Sequence, residues 1–250
     1  TLPNVSMVDV GPLCPTYIST CNGGSLPGYE LYTYQDTITL PNNCSDWLFE
    51  FDVCCRPGSI TNVINPSAEE MYISAGLDNL STPFNNSPDL NDLLTSVFYD
   101  GFTYDVDYSV MDLEGDSIAY RLIAPQNAYN QSVNLQSGFT LTDPFSSGVF
   151  SLDSADGQMN FLLNSGPMEL DYALEITEYR NVNNSMINIG RHVIDLHYLV
   201  LSGAMGANMA PQLSGINNSS ASLISVCSED TTIFYIKIVD PDSTIANFSI

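Results

Sequence analysis

Residues 44–62 read C-S-D-W-L-F-E-F-D-V-C-C-R-P-G-S-I-T-N and hold the only tryptophan, three of the six cysteines and one of the five basic residues of this 250-residue chain. At a strand's period of two, Trp47, Phe49, Phe51, Val53 and Cys55 share one face, and Leu48, Glu50, Asp52 and Cys54 share the other. That pattern predicts a half-buried strand. On such a strand Cys54 and Cys55 point to opposite sides of the sheet, so each is expected to bond a different partner. Arg56-Pro57-Gly58 then turns the chain.

Outward from this stretch the pattern stays that of a β protein. Glycine and proline are frequent, alternating apolar runs are short, and no long segment keeps a 3.6-residue apolar period. Residues 1–86 carry strand signals at 29–34, 37–40 and 71–75 besides the tryptophan strand, and end in S-T-P-F-N-N-S-P at 81–88. They read as a disulfide-rich β-domain, incomplete at its N-terminal side. Residues 87–203 read as an immunoglobulin-like or cadherin-like sandwich. Tyr104, Val106, Tyr108 and Val110 alternate there with Asp105, Asp107, Ser109 and Met111. Further strands are expected at 117–124, 149–152, 158–163, 170–179 and 191–201, with Asp156-Gly157 as a hairpin turn. Residues 204–250 read as the truncated start of a further repeat. Its strand superposes Phe234 on Val106, Ile236 on Tyr108 and Ile238 on Val110, which points to tandem β-domains in a longer polypeptide.

Composition narrows the function classes. The net charge of -24, from 29 acidic residues against five basic ones, repels phosphate backbones and anionic lipid surfaces, so neither nucleic-acid binding nor membrane insertion is expected. Six cysteines, five of them at or before Cys55, fit an oxidising, extracellular setting. Cys14, Cys21, Cys44, Cys54, Cys55 and Cys227 are the candidate half-cystines.

Asp112, Glu114 and Asp116 place carboxylates at alternate positions in a turn, where they can converge on a hard cation that takes several oxygens; Asp240 and Asp242 repeat the first two. Calcium is the candidate cofactor, and Glu178 joins if the fold brings it near. His192 and His197, five apart on one strand, face opposite sides and read as structural. No nucleophile elbow, zinc-protease helix, P-loop or dinucleotide fingerprint occurs, so the chain is not read as an enzyme. Tyr29, Tyr32 and Tyr34 offer rings on which sugars can stack.

Several runs carry a resemblance. C-S-D-W-L-F-E-F-D-V-C-C-R-P-G-S-I-T-N, N-N-S-P at 85–88, D-L-E-G-D-S-I-A-Y at 112–120, D-P-F-S-S-G-V-F-S-L-D at 143–153 and E-Y-R at 178–180 occur in this order. Together they resemble the large repetitive cell-surface proteins of Bacteroidota that are exported by type IX secretion, gliding-motility adhesins among them. The resemblance implies tandem immunoglobulin-like or cadherin-like domains in a long extracellular chain. It also implies glycosylation at Asp-Ser and Asp-Thr pairs, which places candidate sugars on Thr37, Ser117, Ser154, Thr231 and Ser243. Phe84 and Tyr99 stand where such proteins carry a pair of cysteines. Ile194 replaces an arginine beside Asp195, and Arg191 is the candidate substitute for it.

The reading that follows is a structural stalk or spacer segment of a secreted cell-surface adhesin or filament protein, supporting surface adhesion or gliding. Its partners are neighbouring domains of the same chain and, beyond them, surface polysaccharide or the export and motility machinery. Two alternatives come from other classes: a carbohydrate-binding module at a polysaccharide surface, and a polymerising fibre subunit completed by strand exchange.

Overall fold

The computed structural model describes residues 4–9, 18–24, 28–90 and 97–202, with the short pieces 212–213 and 238–239. The fold is all-β, 53% strand and 3% helix. In the first part lie β1 (Asn4–Asp9), β2 (Glu30–Tyr34), β3 (Trp47–Val53) and β4 (Met71–Leu77). After β5 (Asp89–Leu90) come β6 (Val97–Tyr99), β7 (Phe102–Asp107), β8 (Val110–Met111) and β9 (Ser117–Ile123). The short β10 (Gln126–Ala128) and β11 (Gln131–Ser132) precede β12 (Phe150–Leu152) and β13 (Gln158–Leu163). Two long strands follow, β14 (Met168–Val182) and β15 (Ser185–Leu201), and then the pair β16 (Gln212–Leu213) and β17 (Ile238–Val239).

One six-stranded sheet organises the molecule, in the order β3-β4-β15-β14-β9, with β6 running parallel beside the end of β15. Its spine is the β14/β15 hairpin. Asn183 and Asn184 close that hairpin, both at positive φ (53° and 64°), the backbone of a two-residue turn that follows the strands' twist. A second sheet, β12-β13-β7, is built from the alternating strand read in the sequence: Phe102, Tyr104 and Val106 are partly buried, while Thr103, Asp105 and Asp107 are exposed.

Between the sheets lies an aromatic core. Phe145 stacks on Phe161 with ring centroids 4.2 Å apart, and Phe98 meets Tyr104 edge-on at 4.8 Å. Tyr108 and Tyr198 share a buried hydroxyl–hydroxyl hydrogen bond of 2.8 Å, and the Tyr172 hydroxyl donates to the Pro144 carbonyl at 2.7 Å, so the polar tips of these rings are satisfied.

Several expectations change. The boundary placed near residue 86 does not divide the sheets: β4 pairs with β15 along residues 74–77, so β3 and β4 belong to the same sheet as the sandwich strands. The tryptophan strand is less buried than its pattern suggests. Trp47, Leu48 and Phe49 are half-buried, but Phe51 and Val53 are 43% and 44% exposed, because β3 is an edge strand of the sheet and the second half of it is open on both faces. Cys54 and Cys55 are bonded to each other and not to separate partners. Strand pairing ends at Val53, so the alternation of faces no longer governs the next two residues. Cys21 and Cys44 are free thiols, and Cys14 and Cys227 lie outside the described residues, as does most of the repeat read at 204–250. Residues 37–40 form no strand.

Candidate functional site

The stretches singled out in the sequence meet in two charged networks on the β14/β15 hairpin. The first is made by Arg56. The chain leaves β3, turns at Pro57-Gly58 and lays residues 59–64 against the start of β14: the Thr61 amide donates to the Glu169 carbonyl at 2.8 Å, and the Asn62 side chain brackets the Asp171 backbone with bonds of 2.7 and 2.9 Å. Ile60, Val63 and Val133 form a small apolar cluster beneath this arm. The arm fixes Arg56, whose side chain is fully buried between two strands. Its guanidinium donates to Asp171 Oδ2 at 2.7 Å, to both Asp195 oxygens at 3.0 and 2.6 Å, and to the Gln126 carbonyl at 2.9 Å.

One cation thus faces two buried acids. Desolvation drives the Asp195 carboxyl up to about 6 and outweighs the opposing pull of the Arg56 hydrogen bond and charge; the neighbouring Asp171 charge adds to the rise. Asp171 is also raised, first by burial, with Arg56 opposing. Burial would release the Arg56 proton, yet the hydrogen bond and charge of Asp195, then Asp171, hold its pKa above the ordinary value. His197, 3.5 Å from Glu169, is lowered by burial. The two acids share one cation, so ionising both carries a desolvation cost and their titrations are coupled.

The second network lies near the turn end of the hairpin, on the opposite face of β14. Carboxylate oxygens of Asp112, Asp116 and Glu178 lie within 4.8 Å of one another. Glu178 is fully buried and accepts from the Asn85 side-chain amide at 2.8 Å, with His192 Nε2 2.5 Å away. Its carboxylate lies over Gly190: a Cβ there would come 2.1 Å from Glu178 Oε1. Arg180 forks onto both Asp116 oxygens at 2.7 and 2.5 Å and also donates to the Phe84 carbonyl and to Asn85 Oδ1. The N-N-S-P, D-L-E-G-D-S and E-Y-R runs are therefore parts of one structure.

The expected calcium ligands only partly coincide with it. Glu114 turns away to accept from Asn86, Glu178 takes its place beside Asp112 and Asp116, and Asp240 and Asp242 lie outside the described residues. A calcium shell needs six to eight oxygens. Here Arg180, Asn85 and His192 already engage Asp116 and Glu178, while Asp112 Oδ2 is buried with no hydrogen-bond partner among the described residues. The three carboxylates lie close enough together to share one cation, with two of them already engaged from within the chain.

Other candidates fall as follows. His192 and His197 do face opposite sides and serve different acids. Arg191 does not replace the arginine missing beside Asp195. It binds Glu175 together with Arg121, while Asp195 is served by Arg56. Thr37, Ser117 and Ser154 are exposed, but their aspartates have local duties: Asp36 and Asp153 accept from nearby backbone amides, and Asp116 holds Arg180. Thr231 and Ser243 are outside the described residues. Tyr32 and Tyr34 are exposed on β2, and Tyr34 lies 6.2 Å from the Phe51 ring.

The Arg56 network was not foreseen. Its signal was present in L-D-Y-A-L-E-I and V-I-D-L-H, where acids interrupt otherwise apolar strands and so call for a cation. Compared with known proteins, the chain matches no family model, no curated sequence and no solved structure.

Proposed function

We propose that this chain is a structural segment of a secreted cell-surface protein, a stalk or spacer that carries tension between neighbouring parts of one long polypeptide. A single observation supports this reading: β3 and β15, the first and last strands of the large sheet, run in the same direction. Trp47 pairs at the level of Leu77 and Gly190, near the start of β15, whereas the chain leaves the sheet at Leu201, at its other end. Tension between residues 47 and 201 therefore runs along the strands. Ladder hydrogen bonds lie across that direction and bear the load together instead of opening one by one.

The surroundings agree with such a role. β15 is held on both sides, by β14 along most of its length and by β4 and β6 on its other flank. Arg56 ties the arm that follows β3 directly to β14 and β15, so the strand that takes up the load is pinned to the spine. The net charge of -24 agrees with a surface that avoids phosphate backbones and anionic lipid.

Force spectroscopy tests the reading. Handles at the two ends of the chain should give an unfolding force clearly above that of the same protein pulled from positions 168 and 202, which peels β15 from β14. Equal forces in the two geometries would overturn it.

A further inference from the structure

β3 closes the large sheet, and among the described residues nothing pairs with its outer backbone edge. An unpaired edge is a template for one more strand. Two features say which strand it takes. On one face, Phe51, Val53 and Ile73 are 43%, 44% and 39% exposed, and Phe51 and Ile73 border a groove completed by Phe49, Ala75 and Ile194. On the other face of β3, alternating with these residues, Glu50 and Asp52 are exposed acids.

We infer that the β3 edge binds an extended segment of a different protein, with apolar residues at alternate positions and lysine or arginine between them. Side chains on an added strand meet those directly opposite, so the apolar set would cover Phe49, Phe51 and Val53 while the cationic set faced Glu50 and Asp52. Charge complementarity selects this occupant over a second copy. Two β3 strands paired antiparallel about Phe51 would set Glu50 of each against Asp52 of the other, and like charges directly opposite are destabilising. Nor does the chain have cations to offer: Arg56, Arg121, Arg180 and Arg191 are all in ion pairs, and Lys237 is the only other basic residue.

The test uses the full chain and synthetic peptides of about eight residues, a common strand length. One alternates valine with lysine, one has the same composition in scrambled order, and one carries N-methyl groups on the amides that would face β3. Calorimetry and Trp47 fluorescence should show the alternating peptide binding about tenfold tighter than the scrambled one, with the N-methylated peptide inactive. The exposed double variant Glu50→Lys/Asp52→Lys, checked for an unchanged melting temperature, should prefer a valine–glutamate strand instead. Equal binding of the scrambled or N-methylated peptide would reduce the effect to bulk charge and overturn the inference. So would no binding at all, or a dimer of the chain that Phe51→Asp dissolves.

Discussion

The two charged networks use similar residues on the same hairpin in opposite ways. At one, Arg56 arrives from 115 and 139 residues away in sequence and is sealed between Asp171 and Asp195. At the other, Arg180 sits two residues from Glu178 on the same strand and keeps 21% of its side chain exposed. The first joins distant parts of the chain by removing three charges from water, so its energetics are dominated by desolvation. The second gathers more acids, but its cation stays near solvent and amide and imidazole groups complete it. Burial, and not the number of carboxylates, decides which network the fold depends on.

Breaking the buried network should have the largest effect. Arg56→Met leaves Asp171 and Asp195 facing each other without a cation, and urea unfolding at neutral pH should show a loss of about 3–5 kcal/mol. The loss should shrink at mildly acidic pH, where the stranded acids take up protons. Next comes Gly190→Ala. Its Cβ would meet the Glu178 carboxylate at 2.1 Å, so a cost of about 1–3 kcal/mol in thermal unfolding is expected, with a moved His192 ring resonance in the NMR spectrum.

At the partly exposed network, Arg180→Gln should cost only about 1 kcal/mol, because water screens what remains of the pair. Calcium or chelator should leave the melting temperature of the unaltered protein unchanged. A calcium-dependent rise would show that the acids accept an ion and that the internal network is not their resting arrangement.

The smallest effect sharpens the contrast. Asp195 has a raised folded-state pKa, so between the ordinary value of 3.8 and about 6 the folded chain binds more protons than the unfolded one. Its contribution to stability is full below that window and is lost as pH rises through it. Asp195→Asn should remove this slope, read from unfolding midpoints across the window, and leave the slopes of other groups in place.

Much of the fold was legible because period-two alternation is a local property. The strand expected at 158–163 is β13 itself, and those expected at 117–124, 170–179 and 191–201 fall on β9, β14 and β15 with different ends. What escaped the sequence was pairing at long range. Nothing local says that Arg56, in an apparent turn, will be carried to Asp171, or that β4 will find β15 across a supposed domain boundary. Period two also says which side chains share a face without saying whether that face is covered. This is why Phe51 and Val53 read as core residues and are found open. The acidic turn was visible, but which acid would join Asp112 and Asp116 depended on β14 bringing Glu178 to them.

The Asn183-Asn184 turn has a consequence for the order in which the molecule assembles. The hairpin it closes pairs Val182 with Ser185 and continues outward to Met168 and Val200, so each rung forms next to one already made and little loop entropy is lost at any step. The seating of Arg56 requires closing a loop of more than a hundred residues onto strands that must already be side by side. Nucleation therefore belongs to a pair of asparagines and completion to a lone arginine. A variant that slows collapse should lie near residue 183, whereas one that hastens unfolding should lie near residue 56.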